Sequence, residues 1–156
     1  MKIANKRWFA VLLKYIIIAA LVIGAAIIIG LPVILKWVLQ TYEKFGTYND
    51  GYYTTCLCFL YPSGVLGFVA LINAKGLIDS VINQDPFVEK NVKHIKALAR
   101  ISAILCIIYA VGIFFLNSFF TAILFVVFGL VSLLLSAFGE LFAKAVEYKT
   151  DNDFTI

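Results

Sequence analysis

Charge is scarce in this chain, and acid is scarcer than base. Nine Asp/Glu and thirteen Lys/Arg make up only 14% of 156 residues, against about 25% in soluble domains. Histidine occurs once, at His94. One histidine and three cysteines supply no four-ligand metal spacing, and no His-Glu-x-x-His motif exists. The long apolar runs hold no Asp, no His and no Glu before the boundary residue Glu140. A general acid, a general base or an activated nucleophile is therefore missing where an embedded active site would need one. No phosphate loop and no spaced Ser/His/Asp set occurs either. The expectation is a non-enzyme with no cofactor and no metal. Cys56, Cys58 and Cys106 lie in apolar runs and read as small buried packing residues.

What is present is hydrophobicity, at 63% of residues. A soluble globule could not hide that much apolar surface, so the lipid bilayer is the expected partner of most of it. The net charge of +4 is informative by its placement rather than its sum. Lys2, Lys6 and Arg7 precede an apolar run from Trp8 to about residue 39, interrupted by Lys14 and Lys36. That run exceeds a signal peptide and reads as an uncleaved first span, about 8–37. Trp8 and Trp37 stand where two interfacial aromatic belts would lie, and Lys14 is expected to snorkel to the nearer face. Pro32 is a candidate kink. Ala20 with Gly24 and Ala26 with Gly30 give small residues at i, i+4, which suit helix packing within the chain or in a homo-oligomer.

Residues 40–51 read as an aromatic loop with a turn at Asn49-Asp50-Gly51. The second span, about 53–74, carries Tyr61-Pro62-Ser63-Gly64. Pro62 removes a backbone donor, and Gly64 and Gly67 allow close helix approach, so a kink or a broken helix is expected there. From Lys75 the pattern becomes amphipathic to about Asn83, then Asp85-Pro86 reads as an N-cap and first position of a new helix. Val88, Val92, Ile95 and Ala99 share one face of that helix. Lys90, Lys93, Lys96 and Arg100 share the adjoining one, while His94 beside them reads as solvated. Residues 75–96 thus form a polar helical elbow.

The third span, about 97–116, and the fourth, about 119–138, are joined by the shortest of turns, Asn117-Ser118. Gly129, Ser132, Ser136 and Gly139 fall on one face and predict a neighbouring helix. Glu140 and Lys144 are spaced for an i, i+4 pair, and residues 139–156 form a polar tail. The fold class expected is all-α: a single integral membrane four-helix bundle over 1–156, with helical extensions between spans two and three and after span four. Eleven of the thirteen Lys/Arg fall on the side of the termini and the elbow; only Lys36 and Lys44 fall opposite. The positive-inside rule puts both termini and the elbow in the cytosol.

Two segments look familiar: Asp85-Pro86-Phe87-Val88-Glu89-Lys90-Asn91-Val92-Lys93, and the ending from Ala143 to Ile156. With the apolar run Ile101–Tyr109 they resemble the YoaS-like family of uncharacterised bacterial four-helix membrane proteins, a domain of unknown function. Asp151 stands where that family usually has Glu, and Phe154 where it has Leu. The resemblance implies a multi-pass protein of the bacterial cytoplasmic membrane. It also implies, by gene association, a partnership with a small Cro-type helix-turn-helix transcription regulator. Regulation or sensing is the function expected, with Phe87, Asn91, Lys93, Lys96, Arg100, Asn152 and Asp153 as the partner surface and no direct contact with nucleic acid. Two further roles for the elbow are anchoring on anionic lipid, and docking of Asn91 and Lys93 onto Asp151, Asp153 or the terminal carboxylate. A small-solute transporter working past Asn73, Ser102, Thr121 and the membrane kink of Pro32, Pro62 and Gly64 is the alternative.

Overall fold

The computed structural model describes residues 2–43, 50–83 and 86–153, with side chains over 8–41, 51–83 and 86–151. It contains four helices: α1 (Lys2–Glu43), α2 (Asp50–Ile82), α3 (Glu89–Leu116) and α4 (Phe119–Asp153). The shortest, α3, has 28 residues and spans about 42 Å at 1.5 Å per residue, more than the ~30 Å hydrocarbon core of a bilayer. All four are long and apolar enough to cross a membrane. The molecule is an all-α, multi-pass membrane protein.

The helices pack in chain order: α1 on α2, α2 on α3, α3 on α4, with no other pair of helices in backbone contact among the described residues. Burial concentrates on α3, whose Val92, Ile95, Ala99, Ser102, Leu105, Tyr109 and Gly112 form its inward stripe. Ile101, Leu105 and Tyr109 are packed by Leu66 and Ala70 from α2 and by Leu124 and Phe128 from α4. Tyr109 and Phe128 stack with ring centres 5.6 Å apart. By contrast, Ala10 is the one buried residue described on α1, and Trp8, Ile29, Val33 and Trp37 stand out from the protein. Lipid tails are as apolar as a protein core, so such a helix needs no protein cover on most of its circumference.

Small residues set the α3–α4 contact. A Cβ on Gly139 would lie 3.4 Å from Ile95 Cγ2, and one on Gly129 3.4 Å from Cys106 Sγ. The Ser132 hydroxyl donates across the same interface to the Ala99 carbonyl at 3.1 Å. The predicted small-residue face of α4 is therefore the face that meets α3. Asn117 closes α3 in the left-handed region, φ 42° and ψ 41°, with its N–H returning to Ile113. Asn tolerates that conformation, which lets two residues reverse the chain.

Several expectations are corrected. α1 extends beyond 8–37 at both ends, and α2 starts at Asp50, so Asp50 and Gly51 form a first helical turn rather than a loop turn; Asn49 lies outside the described residues. α1 and α2 run as continuous α-helices through Pro32 and Pro62, so the broken-helix version is not found. Beside Pro62, the Ser63 hydroxyl donates to the Phe59 carbonyl at 2.7 Å. Gly64 does admit a neighbour, with Ile28 Cγ1 3.2 Å from where a Cβ would stand, but Gly67 faces open space. α3 starts at Glu89 rather than Pro86: Val88 is the N-cap, extended at φ −128° and ψ 149° with no side-chain cap. Asp85 lies outside the described residues. The tail is helical as far as Asp153, and Glu140 and Lys144 form no ion pair among the described residues.

Candidate functional site

The two segments with recognisable motifs meet at one end of the molecule. The entry to α3 and the last turns of α4 enclose a groove of about 760 Å³. Its floor is apolar, from Val88 and Val92 on one side and Ala143 and Val146 on the other. Charges of both signs line its edges: Glu89, Lys93 and Lys96 from α3, and Glu147, Lys149 and Asp151 from α4. Phe87 stacks on Phe142 with ring centres 5.3 Å apart, and Phe142 in turn stacks on Phe138 at 6.5 Å. This aromatic stack fastens the chain just before α3 to α4. The long C-terminal helix thus gives the elbow a wall to pack on.

The residues expected to form one partner surface divide into two sets. Lys93, Lys96 and Arg100 are exposed, and Phe87 is 44% exposed beside the groove. Asn91 points the other way and is only 2% exposed. Its Nδ2 donates to the Pro86 carbonyl at 2.7 Å, and its own N–H bonds the Val88 carbonyl at 3.0 Å. Asn91 therefore ties the segment before α3 to the first turn of the helix, which has no side-chain cap of its own. Lys93 pairs with Glu89 at 3.1 Å. The side chains of Asn152 and Asp153 lie outside the described residues.

A second polar cluster was not anticipated. Lys14 finds a partner on the neighbouring helix: its Nζ lies 2.8 Å from Asp79 Oδ1, across the α1–α2 contact. Lys75, one turn before Asp79 on α2, holds the other oxygen at 3.2 Å. Nearby on α2, the Asn73 side chain donates to the Val69 carbonyl at 2.9 Å and meets His94 Nδ1 of α3 at 2.9 Å. The imidazole lies over Gly76, and a Cβ there would come within 2.6 Å of Nε2. His94 is thus half-buried and wedged between helices rather than solvated. The signal that could have found the cluster is the pair Asn73 and Gly76, one turn apart at the end of an apolar run. No group of three metal-ligating side chains occurs among the described residues.

Residues 2–156 match the family model described as "Protein of unknown function (DUF2975)". The chain belongs to this family. No curated protein and no solved structure matches it. Since the match covers almost the whole chain, the elbow, the α4 extension and the four helices are all within the family's own extent. The groove is therefore built from segments of one family domain rather than from an appended tail.

Proposed function

We propose that this protein is a non-catalytic membrane partner of a small cytosolic helix-turn-helix regulator, of the YoaS-like kind, in a bacterial cytoplasmic membrane. Both termini and the elbow face the cytosol, as the bias of Lys/Arg to that side requires. The observation that supports this reading is the groove between α3 and α4. It is formed by the two motif-bearing segments, it lies at the end where the helices outrun the apolar stretches, and its apolar floor is edged by both charges. An amphipathic helix of the regulator suits such a groove: its apolar stripe meets Val88, Val92, Ala143 and Val146, and its flanking charges set the register.

Transport finds less support. The groove beside Gly64, between α1 and α2, is walled by Ala25, Ile28, Ile29, Val65, Phe68 and Val69. Those side chains offer a polar solute no hydrogen bond. Ser102 and Thr121 are buried in helix contacts.

The test is co-purification of the tagged membrane protein with the helix-turn-helix product of the neighbouring gene, compared with Val146→Asp and with the pair Lys93→Glu and Glu147→Lys. Loss of the regulator from these variants, with unchanged membrane insertion, supports the groove. Retention of the regulator by every variant, or no binding to the unaltered protein, refutes it. A green fluorescent protein fused after Ile156 should fluoresce; a dark fusion at normal expression would reverse the topology.

A further inference from the structure

A second groove, of about 340 Å³, lies on another face of the α3–α4 pair, lined by Lys96, Ala99, Arg100, Ala103, Ser132, Ser136 and Glu140. Its depth can be read from the sequence. Arg100 is the last charged residue before the apolar run of α3, and Glu140 is the first after that of α4. The two ends lie level, since a Cβ on Gly139 would be 3.5 Å from Lys96 Cγ. The groove therefore crosses from the headgroup layer, at Lys96, Arg100 and Glu140, into the hydrocarbon, at Ala103 and Ser132.

We infer that this groove is a binding site for one singly charged anionic glycerophospholipid, such as a phosphatidylglycerol. The two cations lie one helical turn apart on α3 and have no carboxylate partner among the described residues. Arg100 Nε donates to the Lys96 carbonyl at 3.2 Å, which orients the guanidinium and leaves its terminal NH2 groups for a phosphate. Planar, multidentate donors of this kind suit phosphate oxygens. Glu140 accepts from a headgroup hydroxyl. Two cations and one carboxylate carry +1, which one phosphodiester neutralises. A phosphocholine headgroup would bring its own cation to Glu140 with no hydrogen to donate. Below the charges, Ala99, Ala103 and Ser132 leave a shallow slot between the helices for the start of an acyl chain, and the Ser132 hydroxyl is already satisfied by Ala99. The basic stripe thus divides: Lys93 faces the first groove, Arg100 the second, and Lys96 borders both. This site does not depend on the regulator reading, and its variants avoid Lys93, Lys96 and Glu147.

The experiment is native mass spectrometry of the detergent-solubilised full chain. It is titrated with phosphatidylglycerol, phosphatidylethanolamine and phosphatidylcholine of matched acyl chains, and with glycerol 3-phosphate. Phosphatidylglycerol should be retained about tenfold more tightly than phosphatidylcholine, and Arg100→Gln should weaken it by about fivefold. Ala103→Leu, which fills the slot without changing charge, should weaken it too, while Arg100→Lys should retain part of the binding. Equal retention of all three lipids overturns the site. So does Ala103→Leu binding like the unaltered protein, because that leaves only diffuse attraction. Glycerol 3-phosphate binding as tightly as the lipid would assign the groove to a soluble phosphate and overturn it as well.

Discussion

Lys14 Nζ and Asp79 Oδ1 are 2.8 Å apart, and this ion pair joins helices whose apolar surfaces otherwise read alike on every side. Both side chains keep about a third of their surface exposed, at 37% and 31%, so the pair is worth about 0.5–1 kcal/mol rather than the several of a fully buried one. Its larger effect is on register. Asp79 also holds Lys75 at 3.2 Å, so sliding α1 along α2 would break a fixed three-charge arrangement. A double-mutant cycle of Lys14→Met and Asp79→Asn, read by thermal unfolding in detergent, should give a coupling of about 0.5–1 kcal/mol. Zero coupling would mean that Lys14 reaches the headgroups instead.

Gly76→Ala should destabilise although alanine is the better helix former. The helix preference is worth about 1 kcal/mol, but the new Cβ would lie 2.6 Å from His94 Nε2. To make room, the ring must leave the Asn73 side chain that it meets at 2.9 Å. A net loss of about 1–2 kcal/mol is expected. Adding His94→Ala should return part of it, since the obstructing ring is gone. A double variant weaker than the sum of the singles would contradict this geometry.

Asn91→Ala should cost about 1–3 kcal/mol, because it removes a part-buried bond to the Pro86 carbonyl together with a side chain that is only 2% exposed. Hydrogen exchange should then quicken at residues 86–92 before it changes elsewhere. The same loosening should weaken capture of the regulator, without any change to the charges around the groove. Unchanged exchange in that segment would show that the Phe87–Phe142 stack alone holds the elbow.

Gly64 and Gly67 offer a controlled contrast on one helix. Gly67→Ala meets nothing within 4 Å and should be neutral or stabilise by up to about 1 kcal/mol. Gly64→Ala places a methyl 3.2 Å from Ile28 Cγ1 and should offset that gain by pushing α1 away from α2. Unfolding midpoints of the two variants should differ, with Gly64→Ala the lower. Equal midpoints would show that α1 yields freely at this contact.

The elbow marks where sequence reasoning held and where it stopped. The apolar stripe Val92, Ile95, Ala99 and the exposed basic stripe were legible because both are periodic along one helix. The helix start was misplaced by three residues, because Asp85-Pro86 has the local chemistry of a cap while the helix begins after an extended Val88 with no side-chain cap, and Asn91 holds the Pro86 carbonyl from within the first turn. Of the residues expected at the partner surface, Lys93 and Phe87 border the groove, while Asn91 faces inward. A polar residue's direction depends on what it meets, and a motif does not record that.

The sequence by itself determined the solvent, the number of helices, the tight Asn117-Ser118 reversal and the small-residue face of α4. Each of these follows from composition or from spacing within a single helix. Only the tertiary structure decided that Lys14 finds Asp79, that His94 is wedged over Gly76 against Asn73, and that the elbow and the last turns of α4 make one groove. The physical reason lies in the bilayer. Where lipid and protein interior are equally apolar, hydrophobic periodicity no longer marks the inward face. The partner of each polar group is then set by helix packing across long sequence separations.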